Sequence, residues 1–255
     1  MPQDTSFTDH NIELDDGSLT YPRKKLTMKE YPLFLSSKRL LDLMYPGERT
    51  RIRLVDLACL EGGYATEFAR LGFEVVGIEV RKSNFDNCQY VKEHVNLPNL
   101  NFVNDNILNL EQYGIFDVVF CSGILYHLNK PKAFIEVMSK CCKKLLIINT
   151  HYSTELKNIF HKLSDEASNE SLLGRWFIEH EESESIELQE QKKWSSWENR
   201  VSFWIRREYL IQAIRDVGFD MVFEQYDGIG ENIGSKMISI DFQKYSRGTF
   251  VGIKL

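Results

Sequence analysis

Two histidines, a few acids and one short glycine-bearing loop carry the chemistry this sequence could do. His127 lies in Leu125-Tyr126-His127-Leu128, just past one apolar run, and His151 in Asn149-Thr150-His151-Tyr152, just past another. Imidazole titrates near neutral pH, so either ring could take a proton from a hydroxyl. The two could also act together, as base and orienter, or hold a divalent ion with a carboxylate. No ligand spacing calls for a metal, and none is expected. The plain alternative for His127 is a packed ring bonded to a backbone group.

The loop is Val55-Asp56-Leu57-Ala58-Cys59-Leu60-Glu61-Gly62-Gly63. An apolar strand pattern ends in an acid, and a tight turn then leads into a helical pattern. Glycine there permits positive φ and close approach to a ligand. A following helix N-terminus offers free N–H groups. The next apolar run ends Gly77-Ile78-Glu79, with the acid about 20 residues beyond the first, where it can accept the hydroxyls of a ribose. A dinucleotide loop needs glycine where Ala58 and Leu60 stand. Its pyrophosphate would also be repelled by an acid at the strand end.

These residues require a frame. Apolar runs at 52–57, 74–78, 101–103, 116–121 and 145–149 alternate with helical patterns at 63–71, 83–95 and 132–142. Such alternation predicts βαβ units and a parallel sheet, with ligands collecting at the strand C-termini. An amphipathic helix is expected over 29–43, a late helix over 206–217 closed by Gly218, and strands over 221–225 and 249–254. The glycine-rich connection before residue 249 suggests a hairpin-like pair at one edge.

The run from Asp56 resembles motif I of the class I S-adenosylmethionine-dependent methyltransferases, whose usual form is Asp/Glu-x-Gly-x-Gly-x-Gly. Asp56 and Gly62 match its first and last places, while Ala58 and Leu60 depart from its glycines. The resemblance covers residues 50 to 150 and extends more loosely to the C-terminus. It implies S-adenosylmethionine as cofactor, held by Asp56, Ala58, Gly62, Glu79, Val80, Asp105, Asn106, Ile107 and Ser122. In that reading Glu79 binds the ribose hydroxyls, and Asp105 with its neighbours Asn106 and Ile107 binds the adenine. Asp105 capping a turn is the competing possibility. The Leu-Tyr-His-Leu segment looks like one found in methyltransferases of small molecules, glycans and wobble uridines, which implies His127 as base, with His151, at the matching place one strand over, as the second candidate.

The fold expected is α/β: a Rossmann-like, doubly wound, seven-stranded sheet, mostly parallel with one antiparallel edge strand, plus a helical insertion after the fifth strand. Residues 1–48 are expected as a leader and helix over the cofactor cleft, because His10 to Gly17 looks like the leader of similar enzymes; a plain surface segment is the alternative. Residues 49–255 form the methyltransferase domain, with 151–203 as an acceptor-side insertion or lid. Trp176, Trp194 and Trp197 would serve there as a lid or as the core of a helical subdomain. Asn199 to Trp204 resembles a Ser-Phe-Trp segment that starts the helix before the sixth strand.

Composition narrows the acceptor. With 31 Lys and Arg against 37 Asp and Glu, the formal charge is -6, which argues against a broad nucleic-acid surface. Lys38, Arg39, Arg206 and Arg207 could each meet a phosphate or carboxylate, though a solvated face is the simpler account. Arg200, Arg206 or Arg207 could grip an anionic acceptor. Five cysteines without C-x-x-C spacing suit a reducing compartment. No secretory signal pattern and no apolar run of ~20 residues is seen, so a cytoplasmic protein without membrane spans is expected. The expected activity is methyl transfer to a hydroxyl of a small molecule or sugar-containing, glycan-type metabolite. A tRNA-modifying methyltransferase is the nearest alternative. A nicotinamide oxidoreductase or a non-catalytic methyltransferase-like binding protein are those of other classes.

Overall fold

The computed structural model describes residues 7–156, 158–226 and 246–255. Strand formation follows the apolar runs: β1 (Arg53–Leu57), β2 (Glu74–Glu79), β3 (Leu100–Asn104), β4 (Phe116–Ser122) and β5 (Cys142–His151). Three further strands follow in an insertion: β6 (Ala167–Asn169), β7 (Leu172–Ile178) and β8 (Val201–Ile205). The chain closes with β9 (Met221–Gln225) and β10 (Arg247–Ile253). Between them lie α1 (Pro32–Met44), α2 (Gly63–Arg70), α3 (Lys82–His94), α4 (Pro131–Cys141), α5 (Ile186–Gln191) and α6 (Arg207–Asp216).

Seven strands form one sheet in the order β3-β2-β1-β4-β5-β10-β9. The expected Rossmann-like, mostly parallel sheet is therefore present. Its antiparallel strand is β10, which pairs antiparallel with both β5 and β9. The glycine-rich connection between β9 and β10 lies, over 227–245, outside the described residues. Gly218 takes φ +97° just after α6, as a helix-ending residue should.

The described residues divide into two compact units, the first ending at Phe120 and the second beginning at Cys121. In the first, β1 pairs in parallel with β2, and β2 with β3, so Asp56, Glu79 and Asn104 reach the same sheet edge. Leu54, Val55, Leu57 and Ile78 are buried in that core. Phe68 of α2 packs there between Phe34 and Phe120, with ring centroids 5.7 and 5.0 Å away.

In the second unit the insertion departs from the helical expectation. Three strands form a separate antiparallel sheet, β6-β7-β8, and only the short α5 is helical. The reason lies in the residues: Leu-Leu-Gly-Arg-Trp-Phe-Ile and Val-Ser-Phe-Trp-Ile are aromatic and β-branched, types that fit a pleated surface. Ser202, Phe203 and Trp204 thus belong to β8 rather than to a helix start. A turn with left-handed Glu170 and Ser171 joins β6 to β7. The Glu170 carboxylate there accepts from the Lys132 and Ala133 N–H groups at 2.9 and 3.0 Å, capping α4.

Candidate active site

Asp56 closes β1 and is buried, and its Oδ2 accepts the Ala65 N–H at the start of α2 at 3.0 Å. Burial pushes its carboxyl up to about 8, against the pull of the Ala65 bond and with a contribution from nearby Glu79. The loop that follows takes left-handed backbone at three alternate residues: Ala58 (φ 55°), Leu60 (φ 54°) and Gly62 (φ 80°). These are the three glycine places of the resembled motif. The conformation is kept although two of its glycines are absent, at about 1–2 kcal/mol for each side chain forced into it. Such strain persists only where surroundings over-determine it. Here Cys59 N–H donates to Ile78 O at 3.0 Å, Gly62 N–H to Cys59 O at 2.9 Å, and the Cys88 thiol to Leu60 O at 3.2 Å.

Glu79 is the other side of that restraint. Its Oε2 accepts the Leu60 N–H at 2.9 Å and its Oε1 the Arg81 N–H at 2.8 Å. A longer bond from Asn84 Nδ2 reaches Oε1 at 3.4 Å. A carboxylate offers about four lone-pair sites. Oε2 keeps one for a further donor, and the long Asn84 bond can yield on Oε1, so the group fits a vicinal diol. Burial raises the carboxyl to about 7, opposed by the Arg81, Leu60 and Asn84 bonds. Val80, next in the chain, is half-buried, and its carbonyl accepts from Asn104 Nδ2 at 2.9 Å.

Asp105 follows β3 and is half-buried. Its Oδ1 accepts from Asn106 N–H at 2.7 Å and Asn109 Nδ2 at 2.8 Å, and its Oδ2 from the Tyr113 hydroxyl at 2.6 Å. The Tyr113 bond, then the Asn109 bond, hold its carboxyl below the usual range. Asn106 caps the short helix Ile107–Tyr113 by accepting the Leu108 N–H at 3.0 Å, and Ile107 is buried beneath it. Asp105 therefore does bind its own turn, with one lone pair of Oδ2 still available.

The second unit holds Ser122, His127 and His151. Ser122 ends β4 half-buried. Its neighbour Gly123 (φ 78°) donates N–H to Asn149 O at 2.9 Å. Asn149 Oδ1 in turn accepts from Arg247 Nε at 2.7 Å. His127 is buried in the short helix Leu125–His127. Its Nδ1 lies 2.8 Å from Glu179 Oε1. The same oxygen accepts from Ser202 Oγ at 2.7 Å, and Glu179 Oε2 accepts from Ser196 N–H at 3.0 Å. Burial alone would raise the Glu179 carboxyl. The bond and charge of His127, with Ser202 and Ser196, outweigh it and hold it below the usual carboxylate range. An ionised Glu179 accepts a hydrogen bond from Nδ1–H and leaves Nε2 as the basic nitrogen, a tautomer assigned from the network.

His151 ends β5 in an aromatic cluster. Its ring stacks on Trp204 at 4.8 Å and meets Tyr126 edge-on at 4.6 Å, with His161 5.3 Å away. Tyr126 touches both histidines, its ring centroid 4.1 Å from that of His127, while Arg247 lies 5.7 Å over its face. The orienting partner of His127 is thus Glu179 and not His151. Trp204 Nε1 is buried with no hydrogen-bond partner among the described residues. Trp176 packs against Phe203 at 4.9 Å, whereas Trp194 is exposed and Trp197 half-buried. The cations suggested for an anionic acceptor meet carboxylates instead: Arg206 pairs with Glu166 at 2.8 Å and with Glu208, Arg207 with Glu224, and Arg200 with Glu182 at 3.4 Å.

The roles of Glu179, Ser196 and Ser202 are not visible in the sequence because these residues lie 52 or more positions beyond His127. The Glu179-His180 pair at the end of an aromatic run was the available signal.

A family profile described as a methyltransferase domain matches residues 49–202, more than half of the chain. The ubiquinone biosynthesis O-methyltransferase of Rickettsia akari (strain Hartford) is 29% identical over 109 residues, 42% of this chain and 43% of that protein. The mitochondrial ubiquinone biosynthesis O-methyltransferase of Dictyostelium discoideum is 30% identical over 105 residues, 36% of this chain and 32% of that protein. The chain spans less than half the length of these curated relatives. Among solved structures, the N-terminal domain of EvdMO1 with SAH bound aligns over 89% of this chain and 82% of that one, with TM-score 0.64 and 19% identity. The magnesium protoporphyrin IX methyltransferase (ChlM) from Synechocystis PCC 6803 with bound SAH aligns over 88% and 83%, with TM-score 0.54 and 12% identity. At these identities the likeness is one of fold.

Proposed function

The chain belongs to the class I S-adenosylmethionine-dependent methyltransferases, and on that premise we propose that it methylates a hydroxyl of a small molecule, with His127 as general base. The observation that carries the base assignment is the His127–Glu179 pair, 2.8 Å apart and buried. S-adenosylmethionine, when bound, supplies an electrophilic methyl group on sulfur. Glu79 would accept hydrogen bonds from the ribose hydroxyls, and Asp56 with the loop from Ala58 to Gly62 would hold the methionine end. Val80 would flank the ribose, Asp105, Asn106 and Ile107 would hold the adenine, and Ser122 is the residue assigned to the methyl-bearing end. His127 Nε2 would take the proton of the acceptor hydroxyl as that oxygen is methylated. Glu179 keeps the imidazole in the required tautomer and offsets the charge it gains. His151 stands beside Tyr126 as the second candidate base and as a wall of the acceptor site.

Acceptors from two chemical groups, phenols and sugar-bearing metabolites, suit a region rich in aromatic rings. Incubation with methyl-labelled S-adenosylmethionine and panels of both groups tests the reading. Label is expected in an ether, at a rate that His127→Ala lowers severely while S-adenosylhomocysteine still binds. Label appearing only on nitrogen or carbon, or full turnover by the variant, would remove the base assignment.

A further inference from the structure

The N-terminal segment docks on the cofactor loop at Glu61. That side chain is wholly buried, and both its oxygens act as acceptors. Oε1 receives the Thr8 N–H at 2.6 Å and the Thr8 hydroxyl at 2.9 Å. Oε2 receives the Asp9 N–H at 3.1 Å and the His10 N–H at 2.9 Å. Three successive backbone N–H groups thus converge on a single carboxylate, with Asn87 Nδ2 of α3 a further 3.4 Å contact. The segment grips the loop a second time. His10 Nδ1 accepts the N–H of Gly63, the first residue of α2, at 3.0 Å. A Cβ at Gly63 would fall 2.8 Å from the His10 ring and from Met28, so only glycine lets them this close.

Glu61 sits between Leu60 and Gly62, both left-handed. Its partners therefore fix the position of the very residues whose backbone is strained. The His10 ring is buried and held neutral, its pKa lowered by burial to about 4 against the pull of Glu61. That neutrality is what allows Nδ1 to accept the Gly63 N–H at ordinary pH.

We infer that Glu61 and His10 are positioning residues for S-adenosylmethionine: docking of the N-terminal segment on Glu61 holds Ala58 and Leu60 in the left-handed backbone that glycines would adopt unaided. A loop built of glycines needs no such brace. This chain carries Ala58 and Leu60 at two of those places and supplies the restraint from outside the loop. The inference rests on the cofactor reading, and it makes segment docking and cofactor affinity thermodynamically linked.

The test is a double-mutant cycle on the full chain, read by S-adenosylhomocysteine affinity in calorimetry. Glu61→Gln keeps the shape and removes one of the two acceptor oxygens. It should weaken binding about tenfold or more, in line with a left-handed side chain left unsupported. Adding Leu60→Gly to Glu61→Gln should restore most of that loss, because glycine takes the conformation without the brace. A merely structural Glu61 would give no such rescue. Equal binding by wild type and Glu61→Gln, or a double variant as weak as the single, overturns the inference. If Glu61→Gln does not fold, amide exchange at Thr8 to His10 in the wild-type protein decides instead. Bound S-adenosylhomocysteine should slow it severalfold, and unchanged exchange overturns the linkage. Failure of the wild type to bind S-adenosylhomocysteine would sink the cofactor reading itself, a result distinct from all of these.

Discussion

His127 Nδ1 stands 2.8 Å from Glu179 Oε1, and that oxygen also accepts the Ser202 hydroxyl at 2.7 Å. A ring held this way has one nitrogen committed to a carboxylate and the other left basic. Glu179→Gln keeps the volume and reverses the donor at that contact, because an amide N–H would favour Nδ1 as acceptor and move the proton to Nε2. Turnover should fall by about 10²–10⁴-fold, the span that a positioned base contributes. S-adenosylhomocysteine affinity should stay within twofold of wild type. Steady-state kinetics beside calorimetry separates the two, and a parallel loss in both would make Glu179 a folding residue only.

The acids of the first unit predict a pH dependence. Burial raises Asp56 to about 8 from 3.8, and Glu79 to about 7 from 4.5. The folded chain therefore binds protons that the unfolded chain has released, and its stability falls as pH rises from about 4 to 8. His10 acts in the opposite sense. Lowered from 6.5 to about 4, it favours the fold above 6.5 and withdraws that support as pH drops toward 4. Of these three groups only the two carboxyls contribute between pH 6.5 and 8, so the melting temperature of the ligand-free protein should decline there, and Asp56→Asn should flatten the slope. Cofactor affinity should climb over the same interval, since ribose hydroxyls donate to the ionised Glu79. Melting curves that rise from pH 6.5 to 8 would contradict both assignments.

How far the sequence could foretell this site depended on the range of each interaction. Asp56, the loop and Glu79 lie within 24 residues, so apolar runs and turn residues place them together, and β1 pairs in parallel with β2 as expected of a βαβ unit. The left-handed backbone at Ala58 and Leu60 was not legible, because their side chains argue against it and the restraints lie elsewhere, on Glu79, Cys88 and the N-terminal segment. Glu179 was hidden for a similar reason. It follows β7 in an insertion expected to be helical, whereas aromatic and β-branched residues in β7 and β8 determine the pairing that positions it.

Tyr113 offers a test of the adenine assignment. Its hydroxyl fixes Asp105 Oδ2 at 2.6 Å, and its own pKa is raised to about 12, by burial first and then by that carboxyl. Tyr113→Phe frees Asp105 to turn away from an adenine amino group. A threefold to tenfold loss of S-adenosylhomocysteine affinity is expected, about 0.7–1.4 kcal/mol. An analogue lacking the 6-amino group should bind wild type and variant alike. Equal losses for both ligands would take Asp105 out of the adenine site.

Gly174 in β7 pairs with Ile205 of β8, and a Cβ built there would fall 2.4 Å from the Trp204 carbonyl oxygen and 2.6 Å from the Phe203 ring. Neither can retreat easily: the first is backbone, and the Phe203 side chain is buried against Trp176. Gly174→Ala should therefore destabilise the protein by about 1–3 kcal/mol, the usual cost of overpacking. The strain also reaches chemistry. β7 ends next to Glu179, and β8 carries Ser202, so prising the pair apart lengthens the contacts that orient His127. Turnover measured well below the melting temperature should drop more than the folded fraction does. A variant that melts like wild type would mean that the two strands part freely, and that their pairing does not hold Glu179 in place.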